Sequence, residues 1–435
     1  MTADAIAFPP RRKAWATVAV LMAITVTALL DRFLPAVLME PIKREMHLSD
    51  TSVSLIQGYA FALFYCLAGI PLARMIDRGN RRNLIIIAVL IWSGMTLGCS
   101  LARTYVELFV ARAGVGIAEA VLAPCAYSLI ADSFPRHLRG RAIGLYYGSQ
   151  SIGASASFVL GGLLFQRLSR FGDLHFPLVG SLSPWRATFA IAAIPGLLAA
   201  LLAFGFKEPV RQETSRAARS EGLLAFLQGN IRCLLPLYAM FGIIAFLTLI
   251  GPSWATAFYN RIYGVPLANS GVTVGLIILI SGIAGPLAGG IIGDRWARAY
   301  VGGRFRLPLL CLVVGAPCLA SWPILPSGGP SYFVLALSVT ILSLGLSSAP
   351  AIIQEISPND LRARVLAVNQ IVQFITSGFS PTAIALVTDH LFGDPLALPS
   401  SITLVVLAGG AGGLMIGLAA LKPYRRAAVP GWQVN

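Results

Sequence analysis

The sequence predicts an all-α integral membrane protein of twelve transmembrane helices, arranged as two pseudo-symmetric six-helix bundles. Three observations lead there. Of the 435 residues, 56% are hydrophobic and only 12% charged, about half the charged share of an ordinary soluble domain. Apolar stretches of about 20 residues recur from end to end, each long enough to cross a hydrocarbon core of about 30 Å. Two loop motifs also return at roughly half the chain length, in corresponding places.

The predicted spans fall at 14–38, 52–76, 83–102, 105–131, 141–166, 185–206, 232–259, 270–293, 307–325, 331–354, 365–389 and 399–421. The first follows Arg11-Arg12-Lys13, as a signal peptide would. Its apolar run is too long for an h-region and lacks a small-residue cleavage site, so it reads as a retained span. In spans 5 and 11, Gly, Ser and Gln dilute the apolar run. The 43 glycines and 27 prolines suit membrane helices, where small residues allow close packing and neighbours repair broken backbone bonds. All six cysteines lie within spans, at spacings that fit neither a disulfide framework nor a metal site. No cofactor is implied.

The net charge of +15 could suggest nucleic acid, but its distribution points elsewhere. With the N-terminus inside, the cytoplasmic segments hold 24 of the 33 Lys and Arg residues, the outer segments seven, and the spans two. By the positive-inside rule this places both termini in the cytoplasm of a cell inner membrane and leaves nucleic acid without a binding surface.

The chain repeats itself. Asp77-Arg78 follows span 2 and Asp294-Arg295 follows span 8. After span 4, the run from Asp132 through Pro135 and Leu138 to Arg139 and Arg141 matches Glu355, Pro358, Leu361, Arg362 and Arg364 at an offset of 223. Matches in corresponding loops imply two parallel six-helix halves related by an axis along the membrane normal. The expected division is a bundle over 1–206, a charged cytoplasmic linker over 207–231 and a second bundle over 232–435.

These motifs carry a family resemblance. Gly69-x7-Asp77-Arg78-Gly79-Asn80-Arg81-Arg82 resembles the loop 2–3 signature of the major facilitator superfamily, and Arg112-x3-Gly116 its span 4 motif. Within that superfamily the chain looks like a bacterial spinster-type lipid transporter. The matching pieces are Asp31-Arg32, Asp77-Arg78-x-Asn80-Arg81, Ile91-Trp92-Ser93, Gly114-Val-Gly116-x2-Glu119-Ala120 and Tyr146-Tyr147. The chain departs from the pattern at Ala118-Glu119-Ala120-Val121-Leu122. It departs again in span 5, where Ser157-Phe158 stand in place of the Gly-Pro of antiporters. The resemblance implies the major facilitator fold, transport by alternating access, and spans 1 and 4 lining a central cavity.

Of the 18 acids, only Asp31 and Glu119 lie well inside spans, and two arginines, Arg32 and Arg112, join them. A charge near the bilayer centre costs at least about 2.5–3.5 kcal/mol and survives by pairing or by facing a watery cavity. Helix rise puts Glu119 about 20 Å, Asp31 about 26 Å and Arg112 about 30 Å from the cytoplasmic face. Arg112 and Glu119, two turns apart, share a face. The functional reading gives Asp31 and Glu119 the proton and Arg32 and Arg112 the anionic part of a substrate. Burial and a nearby arginine pull a carboxyl in opposite directions, so substrate arrival can tip its protonation. In spinster-like proteins the matching Asp and Arg of span 1 and acid of span 4 are regarded as functional. The bland alternative is a static Asp31–Arg112 or Glu119–Arg32 pair that locks two helices. All four histidines sit in loops or at span ends, so coupling falls on the carboxylates.

Candidate cavity walls are Tyr65, Tyr147, Trp254, Phe258 and Phe374, with Gln150, Asn369, Gln373 and Ser377 as polar contacts. Asp77, Arg78, Arg81, Arg82, Asp132, Arg136 and Arg139 are expected to form an inner-face gating network that latches the halves. Asp294, Arg295, Glu355 and Arg362 are its second-half counterpart. No nucleotide-binding Gly-x4-Gly-Lys-Ser/Thr run occurs, which argues against direct use of ATP. The expectation is therefore a monomeric, proton-coupled secondary transporter, not an enzyme. Its partners are protons, membrane lipids and a small amphipathic solute, anionic or zwitterionic. A multidrug–proton antiporter of the same fold is the alternative.

Overall fold

The computed structural model of the chain describes residues 8–176, 180–211, 221–300 and 302–428, apart from the side chains of Ile70, Arg136, Phe176 and Glu221. Among the described residues, eleven helical segments are long and apolar enough to cross a membrane. The twelfth predicted span is met by a 34-residue helix, Arg136–Ser169, whose Gly, Ser and Gln lower its apolar character. The chain is thus a multi-pass membrane protein.

In order, the helices are α1 (Arg11–Val37), α2 (Met39–Met46), α3 (Asp50–Ser54), α4 (Ala60–Arg78), α5 (Arg81–Leu101), α6 (Tyr105–Glu119), α7 (Leu122–Ser133), α8 (Arg136–Ser169) and α9 (Pro184–Ala203). The second half contributes α10 (Glu221–Gly229), α11 (Ile231–Tyr263), α12 (Leu267–Ala299), α13 (Arg306–Ser321), α14 (Gly329–Ser347), α15 (Ala349–Glu355), α16 (Arg362–Leu386) and α17 (Leu398–Ala427). Local chemistry starts several of them. The Asn80 side chain accepts from the Asn83 amide to cap α5. Thr104 and Glu107 form a reciprocal capping box on α6. Pro184 opens α9 at a position where its missing N–H costs nothing.

Three details differ from the sequence expectation. Span 4 breaks at Ala120–Val121, directly after Glu119, because Pro124 has no N–H for the Ala120 carbonyl. Span 10 breaks likewise between α14 and α15, where Pro350 follows Leu346 by four. The loop before α9 carries a short antiparallel pair, β1 (Leu174–Phe176) and β2 (Gly180–Leu182), pairing Leu174 with Leu182 and His175 with Ser181. Leu182 anchors it by packing with Leu168 and Ala187.

The chain forms two compact units. The first comprises described residues within 8–48, 60–211 and 266–275; the second takes 49–59, 221–265 and 276–428. In the first, α1 lies against α8 and α9, while α5 packs between α6 and α9, and α4 against α6. In the second, α11 packs on α16, α17 and α14, and α13 on α14 and α17. The units and the sequence halves are not the same residues, because two helix ends change sides. Asp50 of α3 receives both Nη1 and Nη2 of Arg261 at 2.6 and 2.8 Å. The Thr51 amide and hydroxyl both donate to Asp389 at 2.7 Å. The start of α12 instead packs on α8: a Cβ on Gly271 would lie 2.5 Å from the Phe158 carbonyl oxygen, so only glycine fits there.

Candidate functional site

The four span-interior charges meet in the first unit. Asp31 and Arg112 are wholly buried and Glu119 nearly so. Thr96 of α5 donates its hydroxyl to Asp31 Oδ2 at 3.2 Å. Arg112 does not reach a carboxylate; its guanidinium donates to the main-chain carbonyls of Asp31 and Arg32 at 3.2 and 3.1 Å. Glu119 and Arg32 attract one another electrostatically, and Tyr65 is close enough to feel the same guanidinium. Asp31 Oδ1 and Glu119 Oε1 make no hydrogen bond among the described residues. The helices explain this convergence. Gly116, one turn after Arg112, lets α6 approach α4 so closely that a Cβ there would stand 2.6 Å from the Phe61 carbonyl oxygen.

Two residues of this site escaped the sequence reading. Phe61 of α4 lies under both guanidiniums, with its ring centroid 4.5 Å from the Arg32 Cζ and 5.9 Å from that of Arg112. A desolvated cation held over an aromatic face gains about 2 kcal/mol. Tyr65, one turn on, stacks on Phe61 with centroids 5.7 Å apart. The available signal was the Phe61–Tyr65 spacing of four, which puts both rings on one helix face. Thr96 is the other. A lone threonine in an apolar helix has no distinguishing pattern until its neighbour is known.

The remaining candidates scatter. Tyr146 is buried, in edge contact with Tyr127, whereas its neighbour Tyr147 is exposed. Trp254 and Phe258 are wholly enclosed in the second unit. Trp254 donates its indole N–H to the Pro381 carbonyl at 3.2 Å. Phe258 sits in an aromatic cluster with Tyr259, Tyr263 and Trp322. Phe374 and Gln373 are half-buried on α16. Asn369, one turn before Gln373, is fully buried with both amide atoms unpaired among the described residues.

At the helix ends, Arg81 is nearly inaccessible and binds Asp132 at 2.5 Å, Glu208 at 2.7 Å and the Ser128 hydroxyl at 2.6 Å. Arg139 donates to the Phe134 carbonyl at 2.9 Å. Asp77 and Arg78 are exposed at the end of α4. There the carbonyls of Ile76, Asp77 and Gly79 accept from Arg211. The Arg136 side chain lies outside the described residues. In the second unit, Arg304 rather than Arg295 bridges Asp294 and Glu355, at 2.5 Å each, and Tyr424 donates its hydroxyl to Glu355. Arg362 caps its own loop at the Ser357 carbonyl, 3.2 Å away.

A helical membrane protein with paired charges enclosed in its spans and a repeated loop motif has the build of a secondary transporter. The chain belongs to the major facilitator superfamily, whose family model matches residues 21–381. It is 28% identical over 423 residues to an MFS-type efflux pump of Mycolicibacterium smegmatis, covering 95% of this chain and 94% of that one. It is 27% identical to protein spinster homolog 1 of Xenopus tropicalis over 87% of this chain and 70% of the other. Its fold matches a bacterial homologue of the human lysosomal transporter spinster, crystallised inward-facing and unoccupied. That match has a TM-score of 0.81 at 23% identity, covering 97% and 98% of the two chains. A D-xylose–proton symporter shares the fold at a TM-score of 0.70 and 16% identity, over 94% and 97%.

Proposed function

We propose that this transporter couples proton movement to transport of an amphipathic, lipid-like solute with an anionic or zwitterionic headgroup. It would work by alternating access in the cell inner membrane, with both termini cytoplasmic. One observation carries the reading: two carboxyl groups and the Arg112 guanidinium are buried in spans of the first unit beside the half-buried Arg32, at a cost of at least about 2.5–3.5 kcal/mol per charge on insertion scales, and each carboxyl keeps an oxygen with no hydrogen-bond partner among the described residues. Asp31 and Glu119 exchange the proton, and Arg32, held over Phe61, receives the headgroup. Burial favours a protonated carboxyl and a neighbouring guanidinium favours an ionised one, so headgroup arrival and proton release compete for the same balance. The charge excess on one set of loops supports the orientation. The networks around Arg81 and Arg304 serve as inner-face gating elements.

A multidrug–proton antiporter is the second reading, favoured by the similarity over 95% of the chain to a protein named an efflux pump. One experiment separates the two. Proteoliposomes carrying the purified chain are given an imposed pH gradient and offered fluorescent lysophosphatidylglycerol or ethidium. Gradient-driven movement of the lysolipid supports the first reading, and movement of ethidium alone supports the second. Asp31→Asn or Glu119→Gln is expected to uncouple transport from the gradient; unchanged pH dependence in both variants would sink the coupling assignment.

A further inference from the structure

Asp31 lies four residues before Pro35 inside α1. Proline has no N–H, so the Asp31 carbonyl lacks the donor that an interior helical carbonyl otherwise receives. A neighbouring helix supplies a donor to it instead, and a second one reaches the carbonyl just before. Arg112 of α6 places Nη1 on that carbonyl at 3.2 Å and Nη2 on the Arg32 carbonyl at 3.1 Å. Ser157 of α8 donates its hydroxyl to the Leu30 carbonyl at 2.7 Å. Three successive carbonyls before the proline thus accept side-chain donors from two helices. Ser157 is also the residue that departs from the Gly-Pro motif of span 5. A glycine there would have no hydroxyl to give.

We infer that Arg112 and Ser157 are positioning residues that lock α1 where Pro35 removes a main-chain donor, and that Arg112 is not a ligand for the substrate's anionic group. The inference rests on the reading of Asp31 and Arg32 as the coupling and headgroup residues, and it specifies what aims them. A planar guanidinium spans two successive carbonyls with its two outer nitrogens, whereas an ammonium is a point donor. Arg112 has no accessible surface. With two of its nitrogens on the main chain of α1, it fixes the direction in which the adjacent side chains leave the helix.

The test uses substitutions that separate charge from geometry. Arg112→Lys keeps the positive charge and loses the fork. Pro35→Ala returns a main-chain N–H to the Asp31 carbonyl. Uptake of fluorescent lysophosphatidylglycerol and of ethidium is measured in proteoliposomes under a pH gradient. Hydrogen–deuterium exchange over residues 28–38 is followed on the same full-length preparations. Arg112→Lys is expected to lower the maximal rate on the order of tenfold, as loss of a charge-assisted buried bond predicts. The half-saturating concentration should move by less than about threefold, since no substrate contact is removed. In the Pro35→Ala background, Arg112→Lys should recover to within about threefold of Pro35→Ala alone, because the lost interaction is no longer needed. Exchange over residues 28–38 should quicken in Arg112→Lys and return in the double variant. Ser157→Ala should lower the rate less and should not be rescued by Pro35→Ala, which returns no donor to the Leu30 carbonyl.

Wild-type rates in Arg112→Lys, together with failure of Arg112→Gln whatever residue stands at 35, would overturn the inference in favour of a charged ligand. If the wild-type chain moves neither probe, the transport reading of the site fails, and exchange still decides the positioning. Quickened exchange reversed by Pro35→Ala supports it, and unchanged exchange overturns it.

Discussion

Arg81 and Arg304 occupy equivalent positions of the repeat, and each binds an acid 51 residues further along the chain, Asp132 and Glu355 respectively. Each stands at the start of the third span of its half and ties it to the end of the fourth. A group from the end of the sixth span joins each pair, Glu208 in the first half and Tyr424 in the second. The two networks share this wiring but differ in exposure. The Arg81 side chain is 1% accessible, whereas Arg304 is 25% accessible and its partner Asp294 58%.

That difference sets unequal expectations. Arg81→Ala should destabilise the purified protein by about 3–5 kcal/mol, because it removes a buried guanidinium that ties Asp132 to Glu208. Arg304→Ala should cost only about 0–1 kcal/mol, as exposed pairs do. Thermal unfolding in detergent compares them directly. Equal losses would mean that the two networks bear load alike and that exposure is the wrong criterion.

Two glycines of neighbouring spans should respond in opposite directions to alanine. At Gly116 the added carbon would press on the Phe61 carbonyl at 2.6 Å, so Gly116→Ala should cost about 1–3 kcal/mol through displaced backbone. At Gly94, inside α5, nothing lies within 4 Å of the added carbon, so Gly94→Ala should be neutral or stabilise by up to about 1 kcal/mol through helix propensity. Melting temperatures of the two variants test this. An unaffected Gly116→Ala would show that α4 and α6 are not held at this separation.

Glu45 of α2 offers a pH-dependent test away from the spans. Burial pushes its carboxyl up, but hydrogen bonds from the Trp185 indole and the Arg186 guanidinium, at 2.6 and 2.8 Å, belong to the set that outweighs it and holds the group below the ordinary value of 4.5. A carboxyl depressed in the folded state stabilises above its unfolded value and loses that contribution as pH falls through the folded one. The wild-type chain should therefore melt above Glu45→Gln at neutral pH, and the gap should close as the pH drops below 4.5. A gap constant across that range would remove the ionised carboxylate from the explanation.

Much of the fold was legible because hydropathy is a local property. Eleven of the twelve predicted spans met the apolar criterion in the structure, and the exception, α8, is one whose apolar run the sequence already showed to be diluted. The span breaks were less legible. Pro124 and Pro350 are visible in the sequence, yet membrane helices also tolerate proline without breaking, and Pro71 and Pro286 stay inside continuous helices. The second-half network was less legible at one position for a related reason. The loop after span 8 is six residues longer than its counterpart, so the counterpart of Arg81, Arg304, stands away from the Asp294-Arg295 motif and is visible only at the offset of 223.

By itself the sequence determined where the chain is apolar enough to cross a membrane, that its loops repeat, and that four charges lie inside two spans of the first half. Each of these follows from composition or spacing along one segment. Only the tertiary structure decided what those charges meet: Arg112 on the carbonyl freed by Pro35 and on the next one, not on a carboxylate, Phe61 beneath two guanidiniums, and Thr96 on Asp31. It also showed Trp254 and Phe258 to be fully buried. Helical periodicity says which residues share a face of one helix. Which helix that face meets, and at what rotation, is set by close packing between segments distant in sequence.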